Sequence, residues 1–391
     1  MQFARRISPL QTNVFADMDE AKAKAIAAGR ELIDLSLGSS DLPVAEPILT
    51  AIASALQDPS THGYTLFHST RPFREAVARS YTEKYDISID PDTEVLPLIG
   101  CQEGTAHLPL TLLDPGDVAL LCDPGYPSHA GGVYLAGGEV YLMPLREEQQ
   151  FLPVFADIPP EIVKRSRLMV LSYPHNPTTA IAPLEFFEEA VKFCQNNNIV
   201  LAHDFPYADF IFAGTPIPPS ILQADREKTH SIEFFTFSKS YNMGGFRIAY
   251  AIGNAELIGA LRRVKAVIDF NQYRGIMRGA IAALSTEQSL VQETVATFQQ
   301  RRDIFVKALN EKGWNVPSPP GTLYIWGKLP PTWQGNSLQF CLQLVEQTGV
   351  ALSPGSGFGQ SGEGYVRFAL VHPPEVLKTV VTRIAEFLGR I

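Results

Sequence analysis

One apolar segment of the sequence ends in a lysine, in Thr236-Phe237-Ser238-Lys239. An ammonium group at the end of a buried strand is costly to desolvate unless it is paired or chemically modified. Desolvation also lowers the pKa of the amine, which makes it able to attack a carbonyl, and a Schiff base with a cofactor aldehyde would remove the charge. A surface lysine in a loop explains the same residues, so Lys239 by itself leaves both interpretations open.

Hydroxyl groups and an arginine near Lys239 favour the cofactor interpretation. Thr236 and Ser238 offer neutral donors, and Arg247 offers a guanidinium group suited to bidentate contact with a phosphate. Cys101 and Gln102 open a predicted helix, whose free backbone N–H groups would complete a phosphate site. Glycine-containing turns before helices are common, so this second part of the pattern is weak evidence when taken alone.

Other polar residues follow apolar segments in the same way. Asp204 ends a segment in which an unpaired carboxylate would be expensive, and a pyridinium N–H would be a fitting partner for it. A helix N-cap explains this aspartate equally simply. Tyr207 and Asn176 could reach a phenolic oxygen on the same ring, and Tyr126 offers a flat face for stacking. Each of the three is, by itself, more often a turn or core residue.

The elements that must position these residues form an alternating pattern in the middle of the chain. Several apolar segments are continuous, which predicts strands covered by helices on both faces. The predicted strands are 94–100, 118–123, 139–145, 167–174, 199–204, 232–238 and 247–253. The predicted helices between them include 102–112, 128–136, 183–196 and 255–267. This alternation predicts an α/β fold with a mainly parallel, mixed sheet sandwiched by helices, and ligands bind at the carboxyl ends of such strands.

The C-terminal third has a different pattern. A helical pattern over 279–312 and a Pro- and Gly-rich segment precede short predicted strands at 323–327 and 365–370 and helices at 338–348 and 374–388. This mixture predicts a smaller α+β domain. We therefore expect a large domain over 45–280 and a small domain assembled from 1–44 and 281–391.

Composition excludes several other classes of protein. The net charge is −9, from 32 basic and 41 acidic residues, and no basic stripe predicts a nucleic-acid partner. The four cysteines have neither disulfide-framework nor metal-site spacing, so no metal is expected. The first residues lack the apolar core of a signal peptide, and no run of about 18 apolar residues predicts a membrane span. These features predict a cytoplasmic enzyme without membrane or nucleic-acid partners.

Taken together, the motifs resemble those of the fold-type I, class I/II aminotransferases that use pyridoxal 5'-phosphate (PLP), among them the aspartate and LL-diaminopimelate aminotransferases. The resemblance runs from about Leu35 to Arg367, and its most specific part is Ser238-Lys239 followed by Gly245-Phe246-Arg247. It implies that Lys239 holds PLP as a Schiff base and shuttles protons. It also implies a homodimer.

The resemblance assigns roles to the other candidate residues. Asp204 would pair with the ring nitrogen, Tyr207 and Asn176 would contact the ring oxygen, and Tyr126 would stack on the ring. The residues expected to bind the phosphate are Thr236, Ser238, Arg247 and the backbone amides of Cys101 and Gln102, joined by Tyr64 of the partner subunit.

The substrate would be recognised by a smaller set of residues. Arg367 resembles the arginine that binds the α-carboxylate, and Gly38 and Asn176 would lie beside it. Arg274 lies in a region that binds substrate side chains across the dimer interface in some relatives, which would favour anionic side chains. A structural role for Arg274 is an equally good interpretation.

Three positions depart from the usual form of the family. Thr179 and Ser69 replace glycines, and Phe205 replaces an acidic residue. None of these changes removes a catalytic group. A different shape is expected for the turn at Thr179, and the other two departures leave the substrate open.

The resemblance implies ping-pong exchange of an amino group between an amino acid and a 2-oxo acid, with acidic or diaminopimelate-type substrates as candidates. A β-lyase or synthase on the same fold would need the same cofactor and the same carboxylate clamp. A non-catalytic PLP-binding regulator is a more distant alternative, because such modules are usually fused to a DNA-binding domain.

Overall fold

A computed structural model describes residues 4–10, 14–285 and 289–389 of the chain. The helices are α1 (Val14–Ala27), α2 (Glu46–Leu56), α3 (Arg71–Tyr85), α4 (Cys101–Leu112), α5 (Ser128–Ala136), α6 (Pro160–Arg165), α7 (Leu184–Asn197), α8 (Ile221–Ala224), α9 (Ala255–Ile268), α10 (Arg274–Ser285), α11 (Ser289–Glu311), α12 (Ser337–Thr348) and α13 (Pro374–Leu388). The strands are β1 (Ile33–Asp34), β2 (Val95–Leu98), β3 (Val118–Asp123), β4 (Glu139–Pro144), β5 (Ser166–Leu171), β6 (Val200–Asp204), β7 (Ser231–Thr236), β8 (Ala249–Gly253), β9 (Tyr324–Lys328), β10 (Val350–Ala351), β11 (Ser353–Pro354) and β12 (Tyr365–Ala369).

A seven-stranded sheet in the order β2-β8-β7-β6-β5-β3-β4 forms the centre of the molecule. Strand β8 runs antiparallel to both of its neighbours, and the other paired strands run parallel. The predicted mixed, mainly parallel sheet is therefore confirmed, and each of its strands overlaps a predicted segment. Because β2 shares the direction of the parallel strands, its carboxyl end lies at the same edge of the sheet as theirs.

Both faces of this sheet are covered by helices, which explains the continuous apolar runs. In β3, Val118 and Leu120 belong to one core, which includes Phe73 of α3 and Phe187 of α7. The alternate residues Ala119 and Leu121 belong to a second core, formed with α4, α5 and α9. A strand with both rows of side chains buried cannot alternate between apolar and polar residues.

A second, smaller assembly carries two more sheets. Strands β11, β12 and β9 form an antiparallel sheet, and β1 pairs in parallel with β10. Their shared core with α1, α11, α12 and α13 includes Trp314 and Phe368. This part has the α+β character predicted for the small domain, and the limits at residues 45 and 280 stay predictions. The helical pattern over 279–312 is divided between α10 and α11, and residues 286–288 between them lie outside the described residues.

Within the described residues, we find no helix with the length and apolar character needed to cross a membrane.

Candidate active site

A cavity of about 320 Å³ opens at the carboxyl edge of the seven-stranded sheet, where the small assembly meets it. All but two of the residues predicted to serve the site line this cavity: Gly38, Cys101, Gln102, Tyr126, Asn176, Asp204, Tyr207, Thr236, Ser238, Lys239, Arg247 and Arg367. Most of them follow the carboxyl end of a parallel strand. Arg247 instead precedes β8, whose reversed direction places its amino end at the same edge. The topology therefore gathers residues that are far apart in sequence.

Lys239 presents its amine to this cavity. Its Nζ donates to the carbonyl oxygen of Gly38 at 2.5 Å and lies 5.8 Å from the centre of the Tyr207 ring. No ion pair among the described residues involves this lysine, although Asp204 lines the same cavity. A half-buried amine without a carboxylate partner is available to react with a ligand carbonyl.

Asp204 offers a free acceptor atom within the cavity wall. Its Oδ2 lies 3.0 Å from Nε2 of His129, whereas its Oδ1 is buried and has no hydrogen-bond partner among the described residues. A buried carboxylate oxygen without a donor is costly, so a ligand N–H is the partner that this position requires. The nitrogen of a protonated pyridine ring fits that requirement.

His129 was missed by the sequence analysis. It lies in the first turn of α5, three residues after Tyr126, and its ring meets the Tyr126 ring edge-on at 5.5 Å. Its position just after β3 was a usable signal, because the other candidates were found at strand ends. The bond to Asp204 orients the carboxylate towards the cavity.

The opposite end of the cavity is built to receive an anion. Ser238 donates its backbone N–H to Oγ1 of Thr236 at 3.1 Å, and the two hydroxyls are 2.9 Å apart. Gly100, which precedes α4, has φ +122°, and a Cβ there would lie 2.3 Å from Nη2 of Arg247. Glycine at this turn therefore lets the guanidinium approach the N-terminus of α4, where free N–H groups favour negative charge.

Arg367 is a buried arginine with no carboxylate partner among the described residues. Its Nη1 donates to Oδ1 of Asn176 at 2.8 Å, and its Nη2 donates to the carbonyl oxygen of Ser36 at 2.7 Å. Its Nε has no partner in the part of the chain that the structure describes. Only 6% of the residue is exposed. A buried guanidinium group with unused donors is suited to bind the carboxylate of a ligand.

Hydrogen bonds to Arg367 and to Tyr324 orient Asn176 and Tyr207, respectively. Because a guanidinium can only donate, the Asn176 atom facing Arg367 is oxygen, which leaves the amide NH₂ free to donate elsewhere. Tyr207 donates its hydroxyl to that of Tyr324 at 2.9 Å. Tyr324 also lines the cavity, and the sequence analysis missed it.

Burial and nearby charges shift the pKa values of Tyr324 and Cys101 in opposite directions. Burial works to raise the pKa of Tyr324, but the charges of Arg367 and Lys239 and the bond from Tyr207 hold that pKa below its ordinary value. Burial, with the charge of Asp204, raises the pKa of the Cys101 thiol well above its usual range. Cys101 is therefore protonated at neutral pH, and its thiolate takes no part in the chemistry.

The turn after Asn176 carries the threonine that replaces a glycine. Thr179 has φ +64°, in the left-handed region that glycine adopts without strain, and its N–H donates to the His175 carbonyl oxygen at 2.8 Å. Threonine thus takes a glycine-type conformation here, and the expectation of a differently shaped turn stays a prediction. Such a conformation is unfavourable for a β-branched residue.

Two predicted site residues lie outside the cavity of their own chain. Tyr64 is 92% exposed, and its ring meets the Phe270 ring edge-on at 6.3 Å. Arg274 begins α10, and its Nε is buried without a partner among the described residues.

Known proteins are similar to this chain in sequence and in architecture. The family model described as aminotransferase class I and II matches residues 30–384. An LL-diaminopimelate aminotransferase of Dehalococcoides mccartyi is 41% identical over 387 residues, which are 99% of each chain. The solved structure of a probable N-succinyldiaminopimelate aminotransferase from Thermus thermophilus has a TM-score of 0.90 and 43% identity, covering 96% of this chain and 100% of that one. Substrate-bound BacF of Bacillus subtilis has a TM-score of 0.94 and 35% identity, covering 99% and 98%.

Proposed function

The chain belongs to the class I and II aminotransferases, and we propose that it uses pyridoxal 5'-phosphate, bound in the cavity described above, to exchange amino groups between amino acids and 2-oxo acids. The observation that carries the cofactor assignment is the unpartnered Oδ1 of Asp204, which lies in the same cavity as the amine of Lys239 and the guanidinium of Arg367. These side chains fit three groups: Asp204 a ring N–H, Lys239 an aldehyde, and Arg367 a substrate carboxylate.

Each end of the cavity fits one part of the cofactor. Lys239 would hold its aldehyde, Asp204 would hold its ring nitrogen, and Tyr126 offers a face for the ring. The hydroxyls of Thr236 and Ser238, with Arg247 and the backbone amides of Cys101 and Gln102, would bind its phosphate. When bound, PLP supplies an electron sink for the pair released when the substrate Cα–H bond breaks.

The protein residues then perform the binding and proton transfer. Arg367 binds the α-carboxylate of the amino acid through paired N–H groups, which fixes the direction of the Cα–H bond. The Nζ of Lys239, when free, would take the Cα proton and later return a proton. Asp204 would hold a proton on the ring nitrogen by accepting a hydrogen bond from it. The first product leaves as a 2-oxo acid before the second substrate binds, which gives ping-pong kinetics.

We assign a diaminopimelate-type amino acid as the amino donor. The full-length relatives with LL-diaminopimelate in their names, and the Thermus structure with N-succinyldiaminopimelate in its title, support this class. Incubating PLP-loaded protein with LL-diaminopimelate, N-succinyldiaminopimelate or glutamate, each with a range of 2-oxo acids, tests the assignment. Faster transfer from a diaminopimelate compound than from glutamate supports it, and transfer from glutamate alone contradicts it.

A β-lyase or synthase reaction is the alternative that keeps the same cofactor. Release of pyruvate and ammonia from a cysteine-like substrate, without transfer of the amino group to an oxo acid, would favour it. A regulator without catalysis is the more distant alternative, and a salt-dependent shift of DNA mobility would be its signature.

The role of Arg274 can be separated from that of the α-carboxylate clamp. If its guanidinium, whose Nε has no partner among the described residues, binds an anionic side chain across a dimer interface, Arg274→Ala will lower kcat/KM for dicarboxylic amino acids by about tenfold to a hundredfold. For donors with neutral side chains, kcat/KM will change little, because they use only Arg367. An equal kcat/KM of wild type and variant for glutamate removes this role.

We further propose a homodimer in which Tyr64 reaches the phosphate site of the partner subunit. Its ring, and separately the side chain of Val267 on α9, 84% accessible, are large apolar groups that an isolated chain would leave in water. The calculated chain mass is 43.0 kDa, so light scattering should give twice that value, and a monomeric mass contradicts the dimer. The free thiols of all four cysteines fit the cytoplasmic location proposed for the protein.

A further inference from the structure

Tyr324 brings a hydroxyl into the cavity from outside the large sheet. It lies on β9, in the small antiparallel sheet, and is only 3% exposed. The guanidinium of Arg367 covers its ring, 4.1 Å from the centroid. Its hydroxyl oxygen accepts from Tyr207 at 2.9 Å. The ring and the hydroxyl of Tyr324 are therefore both fixed by neighbours that belong to the site.

The backbone is also shaped around this hydroxyl. A Cβ at Gly38 would lie only 1.8 Å from the hydroxyl oxygen of Tyr324. A side chain at position 38 would thus displace the hydroxyl from its place beside Tyr207. The carbonyl oxygen of Gly38 meanwhile accepts from the amine of Lys239. The segment that positions Lys239 therefore also leaves the space that Tyr324 occupies.

Several charged and titratable groups face this pair of tyrosines. Those lining the cavity with the two tyrosines are Cys101, Tyr126, Asp204, Lys239, Arg247 and Arg367. His129 contacts Asp204. The charges of Arg367 and Lys239 lower the pKa of Tyr324 in the protein without cofactor. Wherever the nitrogen of Lys239 is uncharged, one of those charges is absent, so Tyr324 keeps its proton more firmly and is able to donate it.

We propose that Tyr324 is a positioning residue that acts through Tyr207, donating to its hydroxyl while Tyr207 donates to the phenolic oxygen of the bound cofactor. The inference rests on the proposed use of PLP. The arrangement is a chain of two hydrogen bonds that ends on a negatively charged oxygen beside the nitrogen of Lys239.

The direction of this chain follows from bond strengths. Tyr207 has one proton, and a hydrogen bond to a charged oxygen is about twice as strong as one between neutral groups. Tyr207 therefore turns its proton from Tyr324 to the phenolic oxygen, and its lone pair becomes available to the Tyr324 proton. Hydrogen bonds in a chain strengthen one another. A better stabilised phenolate competes less for a proton, so the proton shared with the Lys239 nitrogen is lost at a lower pH.

The test is the pH midpoint of the visible absorbance change of PLP-loaded protein, which reports that shared proton without any turnover. Tyr324→Phe keeps the ring under Arg367 and removes only the hydroxyl. We expect this variant to raise the midpoint by about half a pH unit. The bond from Tyr207 to the phenolic oxygen remains but is weakened, because the bond from Tyr324 no longer strengthens it. Tyr207→Phe should raise the midpoint further. In the Tyr207→Phe background, adding Tyr324→Phe should leave the midpoint unchanged, because the two hydroxyls act in series.

Tyr250→Phe is the matched control, since it removes a buried tyrosine hydroxyl that does not line the cavity and should not move the midpoint. An unchanged or lower midpoint in Tyr324→Phe overturns the proposal. So does an equal rise when Tyr324→Phe is introduced into the wild-type protein and into the Tyr207→Phe variant. A higher KM for amino acids with an unmoved midpoint also overturns it, because Tyr324 would then act through Arg367. Failure of the wild-type protein to take up PLP removes the proposed function and this inference together. Normal uptake with an unmoved midpoint removes the inference alone.

Discussion

Replacement of Lys239 by alanine is expected to reduce kcat by at least about a thousandfold without preventing the protein from binding PLP. The variant loses both the amine that holds the aldehyde and the group that moves the Cα proton. The phosphate site around Arg247 and the acceptor on Asp204 remain, so the cofactor is still bound without a covalent bond. Borohydride reduction followed by mass measurement should attach the cofactor to the wild-type chain and not to the variant.

Two further variants show which property of the lysine matters. Lys239→Arg keeps a positive charge but cannot form the imine, and it should be as inactive as the alanine variant. Lys228→Ala removes a lysine that bonds to the carbonyl oxygen of Ser88, away from the cavity, and should retain activity. Substantial transaminase activity in Lys239→Ala would contradict the role assigned to this residue.

Replacement of Arg367 by lysine should lower kcat/KM by about a hundredfold for every amino acid, and replacement by alanine should lower it further. Lysine keeps the charge but loses the paired N–H groups that match a carboxylate. The guanidinium also holds Asn176, so the alanine variant leaves that amide without its partner. Steady-state kinetics with several donors measures the effect.

The donors should be affected equally, because all of them share the α-carboxylate. An amine without a carboxylate gains nothing from Arg367, so its slow reaction should be little changed by either variant. A loss confined to dicarboxylic donors would show instead that Arg367 binds the substrate side chain.

The large sheet and most of the site were predictable because their signals are local. Continuous apolar segments such as 118–123 have to be strands buried on both faces, and β3 occupies those same residues. Parallel strands end at one edge, so Asp204 and Lys239 could be placed near each other without knowing the strand order. The resemblance to class I/II aminotransferases, drawn from the same motifs, is confirmed over residues 30–384.

The residues that were missed depend on contacts between distant parts of the chain. Tyr324 follows a Pro- and Gly-rich segment and belongs to another sheet, and nothing near it in sequence indicates that its hydroxyl reaches Tyr207. The contact of the Gly38 carbonyl oxygen with Lys239 joins residues 201 positions apart. Tyr64 and Arg274 do not line the cavity of their own chain, so their proposed roles depend on a second subunit.

The visible absorption spectrum of PLP-loaded protein, recorded before and after adding single amino acids, tests the central claim most directly. The proposed function predicts a yellow protein whose absorbance is bleached by an amino acid and restored by a 2-oxo acid. A diaminopimelate compound should bleach it most readily. A colourless protein that takes up no PLP would contradict the account, and a yellow protein that no amino acid bleaches would contradict transamination.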